Sequence, residues 1–149
     1  GSAIMSQNAQ VFGDAQVSEN AIIDGNAKVI NFARVMGRAH IRDSALIAEN
    51  ASVAGEADVY DSATVRQNAR IYGRAKVFGS SVVSASSRVH GDAWVSGQAE
   101  VWGDAQVFDN GWIKDKALIH GSIIVCGQAV IAGERDINAG RICGEEVLQ

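Results

Sequence analysis

The chain has no proline, two cysteines, three histidines and one threonine, and each shortage removes a class of explanation. Without proline every backbone N–H remains a potential donor, as a fold of inner β-ladders requires. Cys126 and Cys143 are too few for a disulfide framework, and neither lies in a C-x-x-C or His-rich spacing suited to zinc. Whether they pair with each other is left open. His40, His90 and His120 are widely separated, with no short His-to-His spacing of the kind zinc motifs use. The lone Thr64 excludes a flat threonine array of the ice-binding kind. A calcium-binding Gly-rich nonapeptide and a nucleotide-binding Gly-x-Gly-x-x-Gly with a following helix are both missing.

Positive charge is scarce as well. A formal net charge of −4 over 149 residues argues against a broad footprint for nucleic acid or anionic lipid. No apolar run reaches the roughly 18 residues of a membrane span, and no secretory leader opens the sequence. These features and the low cysteine count lean only weakly toward the cytoplasm and leave the compartment open. Gly1-Ser2 reads as a cloning remnant.

What the chain has instead is one six-residue phrase, repeated from Ala3 to Ile137 without insertion or deletion. In Gly13-Asp14-Ala15-Gln16-Val17-Ser18 the order is turn, turn, alanine, variable, valine or isoleucine, variable. The alanine slot is unbroken from Ala3 to Ala75, and the β-branched slot departs from Val or Ile only at Met5. Short fixed periods mark stacked units that cannot bury their apolar face alone. The alternation Ala-x-Val has period two, so both residues point inward and the one between them points out. Gly, Asn, Asp and Ser at the turn positions tolerate sharp corners. Each phrase is therefore a strand of three or four residues plus a corner.

Three phrases close a triangle of 18 residues, so the expected fold is an all-β, single-stranded triangular parallel β-helix of about seven and a half coils. At roughly 4.8 Å per coil the rod is roughly 36 Å long. Its core is made of Val and Ile, each contributing about 1.5–3 kcal/mol when buried, so neither metal nor disulfide is needed. An antiparallel sandwich would need hairpin loops of varying length, which the chain lacks. A six-residue period also keeps no stripe on one helical face.

Counting modulo 18 assigns outward residues to faces. One face carries Arg34, Arg70, Tyr72, Arg88, His90 and Phe108, with Met36, Ser52, Ala54 and Gln106 among them, a basic-aromatic stripe suited to an anionic or sugar-like ligand. The same aromatics are also what cross-strand pairing favours. A second face stacks Trp94 over Trp112 near Tyr60 and Phe78. A third aligns Leu46, Thr64, Val82, Glu100 and Leu118, flanked by Ile30 and Trp102. These outward apolar residues suggest subunit association. The phrase falters at Ser81, Ser87, Gly111, Ile123 and Arg135, with Gly111 leaving its slot half empty. After Ile137 the phase is lost, and 138–149 reads as an irregular cap or the start of a further segment. The uncapped first coil suggests a fragment of a longer chain, or a second subunit covering it.

The phrase resembles the hexapeptide repeat of left-handed β-helices, whose best-known members are trimeric acyltransferases. It departs from that pattern in Val35-Met36-Gly37 and Ile71-Tyr72-Gly73, where glycine comes two residues after the aliphatic position instead of one. Phrases of the form Gly-Asn/Asp-Ala-x-Val bring it closer to YdcK-like β-solenoids. The transferase resemblance implies an acyl-CoA cofactor, acetyl-CoA or a longer acyl-CoA, and a histidine base at a trimer interface, which here means His90 or His120. General-base work needs a histidine in reach of the acceptor, and transferases of this type shape that site with a loop leaving the coil. No such loop interrupts this chain. The leading expectation is thus a non-catalytic scaffold or interaction module without cofactor or metal, homo-oligomeric or joined to neighbouring domains. The alternatives are an acyltransferase and a polymer-forming solenoid similar to bactofilins.

Overall fold

Alternating inward and outward residues bury one side of each short strand, and a turn every six residues sends the next strand onto a new face. The computed structural model describes residues 2–149. It contains 25 strands in three sheets of nine, eight and eight, each sheet taking every third strand. Successive rungs are parallel: Asp58 pairs with His40 on one side and Lys76 on the other, Arg70 with Ser52 and Arg88. The three sheets form a triangular parallel β-solenoid of about eight coils, with no helix among the described residues.

Most strands are two residues long, as in Arg70–Ile71, against the three or four expected. The ladder bonds nonetheless continue past each strand: the N–H of Tyr72 donates to the Val89 carbonyl at 3.0 Å. The chain bends on both sides of the pair to reach its corners, so the regular part is short while the bonding is continuous.

From Ile23 to Ile131 every Val or Ile of the inward slot is fully buried. Ser81 and Ser87 keep two alanine slots by donating their hydroxyls to the carbonyls of Phe78 (2.8 Å) and Ser84 (2.7 Å). Such bonds let a polar atom sit in the core without an orphaned donor. Gly111 leaves less room than expected, since a Cβ placed there would lie 3.2 Å from the Phe108 carbonyl oxygen and 3.3 Å from a Val107 methyl. Its neighbours have closed the slot.

Each corner from residue 7 to residue 133 opens with a residue of positive φ, glycine at twelve and another residue at ten. Several of the ten are aspartates whose carboxylates cap the next coil. Asp61 accepts from the Gly79 N–H at 3.0 Å, and Asp115 from the Gly133 N–H at 3.0 Å. A short side chain that bonds the backbone tolerates the left-handed region better than most.

The segment 138–149 differs from expectation. Its strands Arg141–Ile142 and Val147–Leu148 add a further rung to two sheets, pairing with Ile124–Val125 and Val130–Ile131. The coil has lost one residue at the 138–140 corner, so its repeat is 17 instead of 18, which hid it from a strict modulo count. That shift stacks Cys143 on Cys126, and the two form a disulfide with Cα atoms 4.5 Å apart. Arg135, the charge in an alanine slot, lies exposed and donates to the Gln149 carbonyl across the coil end.

Candidate functional site

Outward residues repeat every 18 positions, so each face is a pair of side-chain columns. On the arginine face one column runs Arg34, Ser52, Arg70, Arg88, Gln106. In the column beside it Tyr72, His90 and Phe108 are stacked nearly parallel, with centroid separations of 4.6 and 5.0 Å. The sequence-assigned binding residues thus do share one surface. Neither column contains a carboxylate. Arg34, Arg70 and Arg88 are exposed and form no ion pair among the described residues.

Arg38, Arg42 and Arg74 behave differently, whereas Arg66 and Arg141 also form no ion pair among the described residues. Arg42 forks onto Asp58 at 3.2 and 3.0 Å and lies over the Tyr60 ring at 4.0 Å. The Asp58 hydrogen bond holds its guanidinium more firmly protonated. Arg74 meets Asp92 at 2.7 Å, and Arg38 meets Glu56 at 3.4 Å. On the arginine face, by contrast, Arg70 opposes Arg88 directly, a like-charge rung that costs stability.

Ser52 and Ala54 interrupt both columns at the same coil. Two contiguous hollows open there. One, of 340 Å³, is lined by residues including Ala54, Arg70 and Tyr72; the other, of 490 Å³, by residues including Arg34, Asn50 and Asn68. Ser52 and Arg70 border both. The small residues were visible in the sequence, but the notch depends on the long side chains above and below them.

The two catalytic candidates have unlike surroundings. His90 lies between the Tyr72 and Phe108 rings, where burial and then Arg88 lower its pKa against an opposing pull from Asp109. It forms no hydrogen bond to a carboxylate among the described residues. His120 stacks on Trp102 at 4.1 Å and shares a 2.7 Å hydrogen bond through Nε2 with Asp136. His40 is similarly held by Asp24 at 3.1 Å. The three lie on three faces, and no group of three or more potential metal ligands occurs among the described residues.

The leucine face aligns Leu46, Thr64, Val82, Glu100 and Leu118 in one column, with Ile30 and Trp102 in the next. Arg66 and Glu100 interrupt it, so its apolar residues form no unbroken stripe. On the tryptophan face Trp94 and Trp112 meet edge to face at 5.5 Å, and Trp112 donates Nε1–H to Ser96 at 2.8 Å. The rings form part of an open groove of 710 Å³ whose rim holds Arg74, Asp92 and Asn110. That groove was not anticipated. The signal was present, since positions 74, 92 and 110 share one corner modulo 18.

These features define the class as a triangular parallel β-solenoid with chemically distinct faces. No protein-family model, curated protein or solved structure matches the chain. Among the described residues no helix is long and apolar enough to cross a membrane.

Proposed function

We propose that the chain is a non-catalytic, rigid β-solenoid that presents binding faces, an interaction module within an oligomer or a larger protein. The observation that carries this reading is the unbroken ladder: no loop leaves the coil to build an enclosed cleft, while the arginine face gathers unneutralised charge beside stacked rings. Binding surfaces need convergent groups on a rigid support, and a parallel ladder supplies that support. The apolar residues Leu46, Val82, Leu118, Trp94 and Trp112 are the proposed contacts to a second copy or a neighbouring domain. The Cys126–Cys143 bridge favours an oxidising compartment over the cytoplasm.

One observation favours a second reading, an acyl-CoA-dependent transferase of the hexapeptide type. The Asp136 carboxylate orients His120 as it would a general base. Light scattering together with an acyl-transfer assay using acetyl-CoA and mixed amine and hydroxyl acceptors separates the two. The module predicts no turnover above that of His120→Ala at any oligomeric state. A compact trimer with His120-dependent turnover would overturn it.

A further inference from the structure

Position 54 is where the aromatic stack stops. Tyr72, His90 and Phe108 follow one another at the height of a coil, and the next rung is Ala54. One face of the Tyr72 ring is covered by His90; the other looks across Ala54 toward Met36. The neighbouring column lacks a rung at the same coil, since Ser52 stands between Arg34 and Arg70. One coil is about 4.8 Å high, so the space between Tyr72 and Met36 accepts a single ring, and the space beside it accepts the group that ring carries.

The walls specify that group. Arg34 and Arg70 stand one coil below and one coil above Ser52, and neither has a carboxylate partner. Arg88 adds a third positive charge one rung further on. Guanidinium forks match the oxygens of carboxylates and phosphates in pairs, and those of the isosteric sulfates likewise. A face that keeps Arg70 opposite Arg88, in a protein with net charge −4, bears a repulsion that a bound anion would relieve. Asn50 and Asn68 border the same hollow and offer amide donors and acceptors suited to hydroxyl groups. The free face of Tyr72 carries the negative side of the ring quadrupole, toward which the polarised C–H bonds of a sugar pack.

We infer that the notch over Ser52 and Ala54 is a binding site for an anionic sugar, a carboxylated or sulfated unit of an acidic glycan that completes both interrupted columns. The ring stacks on Tyr72 in the place of a side chain at position 54, and its anionic group lies between Arg34 and Arg70. The inference rests on reading the chain as an interaction module and names the ligand of its arginine face. A phosphodiester chain fits less well with a net charge of −4, since nucleic-acid binders carry a basic excess, and Phe32 at the edge of the lower hollow makes oligothymidylate the competitor to test.

Calorimetric titration of the full chain tests this with four probes: a galacturonic acid hexamer, its carboxyl-reduced counterpart, a sulfated oligosaccharide of equal length, and an oligothymidylate. One or both acidic sugars bind, weaken as salt is raised and exceed the reduced hexamer at least tenfold; which of them binds tells carboxylate from sulfate. Arg70→Ala and Tyr72→Ala each lower the affinity about tenfold. Ala54→Phe extends the stack, fills the notch and abolishes binding with thermal stability unchanged or raised, a result that a fold defect cannot imitate. Equal binding of the reduced hexamer, tighter binding of oligothymidylate, or undiminished binding by Ala54→Phe would each overturn the site. Absence of binding by every probe would also overturn it, while the acyl-transfer assay separately decides the module reading.

Discussion

Gly55 meets two constraints at once. Its φ is +71°, and a Cβ there would lie 2.8 Å from the carbonyl oxygen of Gly73 one coil on. The first constraint alone costs an L-residue roughly 1–2 kcal/mol, and the second forces the corner apart. Gly55→Ala is therefore expected to destabilise the solenoid by about 2 kcal/mol or more, measured by thermal or denaturant unfolding. Asp61 shows the other solution, a side chain that bonds the coil above it. His90 makes a residue-scale prediction of a different kind. Burial among rings disfavours its charged form, with Arg88 adding to that effect. Its folded pKa thus lies below the ordinary 6.5, and the unfolded chain takes up the proton first as pH falls. The His90 contribution to stability is complete above pH 6.5 and is lost on acidification through the window below it. NMR titration should find His90 titrating below 6.5, and His90→Gln should flatten the acid limb of stability. A His90 that titrates at or above 6.5 would contradict this.

At the level of single coils, the regular ones were legible before any coordinates because their inward slots admit little beyond Ala, Val and Ile, as Val53, Val59 and Ile71 illustrate. The last coil was not. A one-residue shortening at 138–140 shifts every later residue by one, so Ile142 and Leu148 carry the right side chains at the wrong count. The disulfide was hidden for the same reason, since Cys126 and Cys143 share a column only once the repeat is 17. The stripe of the arginine face was legible from positions 34, 70 and 88, whereas the notch and the Trp94–Trp112 groove depend on how far long side chains reach. The bridge itself closes a loop similar in length to those worth about 3 kcal/mol. Its effect should be local, because a solenoid contacts only its neighbouring coils. Cys143→Ser is expected to speed amide exchange at Arg141–Ile142 and Val147–Leu148 while leaving Val53 and Ile71 protected. Uniform acceleration through all coils would contradict a nearest-neighbour rod.

Across the whole molecule the inside and the outside follow different rules. The core is nearly the same from coil to coil, whereas the three faces differ in charge and in ring content. Function, on this account, lies in what those faces bind. The alternative places it in a histidine held by Asp136, on a different face from the arginine notch. Side-chain and backbone chemical-shift mapping of one labelled sample separates the two, first with an acidic oligosaccharide and then with acetyl-CoA. The predicted result is perturbation confined to the notch and its walls, Arg34, Met36, Asn50, Ser52, Ala54, Asn68, Arg70, Tyr72 and Arg88, on addition of the sugar, with no response to acetyl-CoA. Saturable shifts around His120 and Asp136 on addition of acetyl-CoA, with the arginine face silent, would contradict the account.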